Sequence, residues 1–153
     1  MIRVQTEAID PGALLAGFCR GRSDVGGVVS FTGLTRGATD GAVVSRLSLE
    51  AYPGYTEKVV AELEAEARAR FSVIDVLVAH RWGDLEVGQP IVFVAVAAEH
   101  RREAFQAADF LMDQLKTRAP FWKKETGPDG TRWIEARSGD HADAARWTTG
   151  ETI

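Results

Sequence analysis

Between Lys116 and Lys124 the chain reads Lys-Thr-Arg-Ala-Pro-Phe-Trp-Lys-Lys, four cations and no acid in nine residues of a protein whose formal net charge is −4. Crowded cations flanked by bulky aromatics can do two things. They can hold an anion such as a phosphate. They can also lower one another's pKa: Lys116, beside Arg118, Lys123 and Lys124 and shielded by Phe121 and Trp122, becomes a candidate nucleophile or proton-transfer group near neutral pH, with Glu125 opposing the shift. The plainer reading makes Lys116 a helix-end lysine set against the C-terminal dipole. It leaves Phe121 and Trp122 as packing and Lys123 and Lys124 as a solvated pair. The residues by themselves leave both readings open.

A second cationic group, Glu99-His100-Arg101-Arg102, falls where a strand hands over to a helix, so free N–H groups and the helix dipole would reinforce phosphate binding there. Its alternative is a histidine cap with two solvated arginines. No Ser, Cys or Thr sits in a nucleophile motif, and Gly26-Gly27 lacks the spacing of a dinucleotide or Walker loop. His80, His100 and His141 lack metal-ligand spacing. Cys19 is the one cysteine, which excludes disulfides within the chain and multi-cysteine zinc or iron–sulfur sites. Neither a metal nor a cofactor is expected.

Positioning these groups requires particular elements. The spacing of Ala104, Phe105, Ala108, Leu111, Met112 and Leu115 predicts a helix from about His100 to Lys116, stopped by Pro120. Apolar runs 73–79 and 91–98 read as central strands, and 2–5, 28–32, 43–51 and 131–136 as further strands. Asp10-Pro11 opens a helix to about Arg20, and Thr56 is expected to cap a helix carrying Val60, Leu63, Ala67 and Phe71 on one face. Loop 34–41 holds Arg36. Pro53-Gly54 and Gly127-Pro128-Asp129-Gly130 are turns. Hairpins mixed with helical connections imply an α+β fold with a mixed or antiparallel sheet and packed helices. Residues 1–137 are read as one domain and 138–153 as a peripheral tail anchored by Trp147. His100 and Lys116 are 16 positions apart, about 24 Å along a helix rising 1.5 Å per residue. One small ligand touching both groups would therefore need two chains, and a homodimer with composite sites follows.

With 153 residues, 45% of them hydrophobic, the chain can build one core without staples. Its pI of about 5.4 argues against broad nucleic-acid binding. The N-terminus lacks a signal-type pattern and the apolar runs are too short to span a bilayer, so a reducing, cytoplasmic setting is expected.

Taken together, Phe31-Thr32-Gly33-Leu34-Thr35-Arg36, Glu50-Ala51-Tyr52-Pro53-Gly54, His80-Arg81-Trp82-Gly83, His100-Arg101 and Lys116 through Glu125 resemble the catalytic (large) subunit of molybdopterin synthase, over about residues 26–137. The resemblance implies an α/β-hammerhead-type fold. It also implies conversion of cyclic pyranopterin monophosphate to molybdopterin, the two sulfurs coming from the C-terminal Gly-Gly thiocarboxylate of a small ubiquitin-like subunit. Two such subunits flank a large-subunit homodimer, giving a heterotetramer. On this resemblance Lys116 is the essential lysine and Lys123 the second functional one, while Arg36, His100 and Arg101 bind substrate, the histidine-arginine pair reaching a neighbouring chain's pocket. Arg137 is a further candidate phosphate ligand. His80 and Arg81 are either binding groups or strand-end structure. A phosphorylated substrate explains a basic site in an acidic protein, and sulfur carried by a partner removes the need for a catalytic cysteine. The alternatives are a non-catalytic module holding a phosphorylated metabolite or a ubiquitin-like tail and, ranked behind it, a lysine Schiff-base lyase.

Overall fold

Two long apolar strands set the architecture, because a run buried on both faces needs cover on each side. In the computed structural model, which describes residues 1–148, the order is β1 (Ile2–Gln5), α1 (Pro11–Cys19), β2 (Gly27–Leu34), β3 (Ala38–Thr39), β4 (Ala42–Val43), β5 (Arg46–Glu50), α2 (Tyr55–Arg70), β6 (Asp75–Arg81), β7 (Gly83–Glu86), β8 (Pro90–Ala98), α3 (Arg101–Arg118), β9 (Trp122–Gly127), β10 (Gly130–Ile134) and α4 (Ser138–Ala145). The first sheet runs β1-β6-β8-β2, with β1 parallel to β6 and the other pairs antiparallel. The fold is thus mixed α+β, as expected, with β6 and β8 central. Alternation divides their side chains between two cores: Val76, Val78, Val92, Val94 and Val96 meet α2 and α3, while Leu77, Ala79, Phe93, Ala95 and Ala97 meet α1.

The second sheet, β10-β9-β5-β7, is antiparallel throughout and centres on Leu47, Leu49 and Leu85. Several expectations change here. The strand expected over 43–51 is broken, because Asp40 (φ 50°) and Gly41 (φ 81°) turn a tight β3–β4 hairpin, which takes Val43 and leaves β5 to start at Arg46. The 80–85 connection holds a strand, β7, admitted by Gly83 at φ 95°. Gly54 (φ 83°), not Thr56, is the N-cap of α2. Thr56 is instead buried as the second residue of the helix, where its hydroxyl accepts from the Tyr52 N–H at 2.8 Å and donates to the Pro120 carbonyl at 3.3 Å.

Helix α3 buries Ala104, Ala107, Ala108, Phe110, Leu111 and Leu115. Phe105, expected on that face, is exposed, and Phe110 takes the inner position. The segment expected as a tail over 138–153 forms α4 and is described to residue 148, its remaining residues lying outside the described range. Trp147 anchors it: the ring sits edge-to-face on Phe71 and Phe110 at 5.7 and 5.5 Å, and the indole N–H donates to Asp113 at 2.7 Å. Among the described residues no helix is long and apolar enough to cross a membrane.

Candidate active site

Where the two sheets meet beside the C-terminal end of α3, a cleft of about 600 Å³ opens. Each wall follows from local sequence. The end of β2 and its following loop bring Phe31 to Arg36, the last turns of α3 bring Met112, Leu115 and Lys116, β9 brings Lys123 and Glu125, and the approach to α4 brings Arg137 and Asp140. Four cations from four segments, Arg36, Lys116, Lys123 and Arg137, therefore face one space. Sequence reasoning named all four.

The stretch from Lys116 to Lys124 does not act as one patch. Lys116 lies four residues after Met112, so both occupy the cleft side of α3. Arg118 turns the other way: both its terminal nitrogens reach Glu66 on α2 at 2.7 Å, and this guanidinium holds the Glu66 carboxyl below the usual carboxylate range. Pro120 keeps the chain from continuing as helix. Along β9, alternation sends Lys123 and Glu125 into the cleft and Trp122 and Lys124 outward, with the Lys124 ammonium 5.4 Å from the Trp133 ring centroid.

Lys123 is paired across the strands with Leu49 and Ile134, so its stem lies among apolar neighbours. Burial lowers its pKa, and the charges of Lys116 and Arg36 act in the same direction against the opposing pull of Asp140 and Glu125. Glu125 is already engaged elsewhere. It accepts from the Thr39 hydroxyl at 2.8 Å and from Arg132 at 3.2 Å, which ties the β3–β4 hairpin, and so the Arg36 loop, to the second sheet.

His80 also lines the cleft, buried, its ring stacked on Phe121 with centroids 3.9 Å apart and planes 15° from parallel. Its Nδ1 lies 3.0 Å from the Arg81 carbonyl, which can only accept, so Nδ1 carries the proton. Burial pushes the His80 pKa down to about 4, and Lys123 and Lys116 push the same way, so the ring is neutral at physiological pH. Arg81 does not line the cleft and donates to the Thr6 carbonyl at 3.0 Å and to Gln89 at 3.2 Å.

His100 and Arg101 do not line this cleft. His100 is the N-cap of α3 but makes no side-chain capping hydrogen bond, and both side chains are exposed at the opposite end of that helix. Asp140 was missed by sequence reasoning. The signal was present, since an acid three residues after Arg137 marks a helix start and the Asp140 carboxylate accepts the Arg137 N–H at 2.9 Å. Among the described residues no group of three or more His, Cys, Asp or Glu side chains could hold a metal ion.

The family profile described as "MoaE protein" matches residues 4–118. This chain belongs to the MoaE family. The chain is 50% identical over 147 residues to the molybdopterin synthase catalytic subunit of Caulobacter vibrioides, covering 96% of this chain and 97% of that protein. It is 52% identical over 126 residues to the Escherichia coli protein of the same name, covering 82% and 84% of the two chains. A solved structure, the molybdopterin biosynthesis MoaE protein from Burkholderia ambifaria, superposes with a TM-score of 0.82 at 45% identity, covering 97% and 98% of the two chains. Molybdopterin synthase from Staphylococcus aureus superposes with a TM-score of 0.79 at 30% identity, covering 86% and 95%.

Proposed function

We propose that this chain is the catalytic large subunit of a molybdopterin synthase, a sulfurtransferase of molybdenum cofactor biosynthesis. It converts cyclic pyranopterin monophosphate to molybdopterin with two sulfurs taken from the C-terminal thiocarboxylate of a small ubiquitin-like subunit. The observation that carries this reading is the cleft itself: four cations converge on one space and one of them, Lys123, is desolvated. Such a site suits a phosphorylated substrate and a thiocarboxylate, both anionic, and needs no cysteine of its own.

In this reading Arg36 and Arg137 hold the phosphate. Lys116 stands at the reacting thiocarboxylate carbon, attacking it or assisting there, and Lys123 stabilises developing negative charge or relays the proton. The catalytic unit takes in α4, because residues 1–137 alone would lack Asp140 and the Trp147 anchor. A cytoplasmic location suits a single cysteine and a diffusible substrate.

His100 and Arg101 complete the site from a second copy. Among the described residues the outer edge of β2 is unpaired in its sheet. Its N-terminal end lies against the start of α3, where Gly26 donates to the Ala98 carbonyl at 3.0 Å, and its C-terminal end runs into the cleft at Leu34 to Arg36. Two β2 edges laid antiparallel would carry His100 and Arg101 of one copy toward Arg36 of the other, giving a homodimer with a small subunit at each end.

Incubation with the thiocarboxylated small subunit and the pterin precursor tests the reading. Dithiolene product from the native protein, abolished in Lys116→Ala with partner binding largely retained, supports it. Binding of both components without turnover would mean a non-catalytic module instead.

A further inference from the structure

The connection between α3 and β9 is short, and it sets the distance between the two lysines of the cleft. Lys116 lies in the last turn of α3, Lys123 is the second residue of β9, and Ala119-Pro120-Phe121 joins the two elements. This joint is clamped on both sides. From α2, the Thr56 hydroxyl donates to the Pro120 carbonyl at 3.3 Å, and from β6 the His80 ring lies flat on Phe121, 3.9 Å between centroids. The plane of His80 is itself fixed, because its Nδ1–H is held by the Arg81 carbonyl at 3.0 Å. Phe121 also packs against both the helix-side core and the Leu47–Leu49–Leu85 core, so it is the seam between the two sheets.

We infer that His80 is a positioning residue for the Lys116–Lys123 pair: its pinned ring is the plate that holds Phe121, and through Phe121 it fixes the spacing of the two ammonium groups and closes the floor of the cleft against water. This deepens the proposed function and rests on it for the kinetic readout. A neutral aromatic ring is the group such a floor needs, since a charged one would add a third cation beside Lys116 and Lys123. The stacked face carries this role and the Nδ1–H given to the Arg81 carbonyl keeps the buried ring nitrogen paired, so a phenylalanine ring in the same place still supplies the plate.

The test uses His80→Ala, His80→Phe, Phe121→Leu and the His80→Ala/Phe121→Leu double variant, each checked for native circular dichroism and reversible melting. His80→Ala should lower kcat by about 10²-fold with little change in KM for the pterin, as expected for misplacement of reacting groups by about 1 Å. His80→Phe should recover most of that loss, and the double variant should be little worse than either single one, because plate and seam act as a unit. A second readout needs no turnover. The titration of Lys123, followed by NMR of ¹³C-methylated lysines, should move up toward the ordinary lysine range in His80→Ala as water enters, with Lys116, Arg36, Asp140 and Glu125 unchanged around it.

A folded His80→Phe as inactive as His80→Ala would overturn the inference by placing the role in the ring nitrogens. So would additive losses in the double variant, or a Lys123 titration unmoved in His80→Ala. If native protein makes no product, the proposed function fails, and the Lys123 titration still decides the positioning role.

Discussion

Lys123 and Lys124 are neighbours in the chain and stand on opposite faces of β9. Lys123 faces the cleft between Leu49 and Ile134, and Lys124 lies over the exposed Trp133 ring at 5.4 Å. One lysine is desolvated and the other remains a surface cation, although composition treats them alike. Lys123→Ala is expected to lower kcat by about 10²- to 10⁴-fold, the range for removing a proton-transfer group. Lys124→Ala should leave turnover close to native. Steady-state rates of dithiolene formation for the two variants check this.

The pH dependence of turnover should follow the groups around Lys123. Its pKa is lowered by burial and by the charges of Lys116 and Arg36, and raised by Asp140 and Glu125. If the neutral amine is the working form, activity rises with pH through a pKa below that of an ordinary lysine. Asp140→Asn removes a stabilising anion and should shift that limb to lower pH, while Arg36→Gln should shift it to higher pH. The pH profile of kcat in the two variants gives opposite signs, and shifts of the same sign would contradict the arrangement.

Composite sites can be tested by mixing. A Lys116→Ala homodimer and a His100→Ala homodimer should each be nearly inactive. Mixed dimers would contain one site with both defects and one intact site, so reassembly should restore up to about half of native activity per mixed dimer. Failure to regain activity, with mixed dimers verified by native mass spectrometry, counts against a site shared between copies.

Trp147 should matter for stability and substrate binding together. Replacing it by alanine removes two edge-to-face contacts and the donor to Asp113, which for a half-buried Trp is expected to cost about 2–3 kcal/mol. The same change frees α4, which carries Asp140 and follows Arg137, so KM for the pterin should rise. Denaturant melts and KM measured on one preparation check both effects.

His80 makes the fold acid-sensitive in a defined window. Its folded pKa of about 4 lies below the unfolded value of 6.5, so both states are neutral above 6.5 and stability is unaffected there. As pH falls from 6.5 toward 4 the unfolded chain takes up the proton first. Stability then drops by up to about 3 kcal/mol. His80→Phe should flatten this part of the stability–pH curve in urea melts.

Much of the fold could be read from local pattern. The runs at 73–79 and 91–98 are strongly apolar and read as central strands, and the spacing of Ala104, Ala108, Leu111 and Leu115 reads as one face of a helix, as the fold has them. The family was legible as well, because the motifs from Phe31 to Glu125 are properties of residue order. What sequence could not decide was set by contacts far apart in the chain. Whether Arg118 serves the cleft or Glu66 depends on how α2 lies against α3. His80 becomes a neutral floor for the cleft only because β6 is brought under Phe121, 41 positions further on. Asp140 enters the site only because Trp147 folds α4 back onto α3. Periodicity and residue type act over a few neighbours, whereas desolvation and charge pairing depend on distance in space, and tertiary packing alone sets that distance.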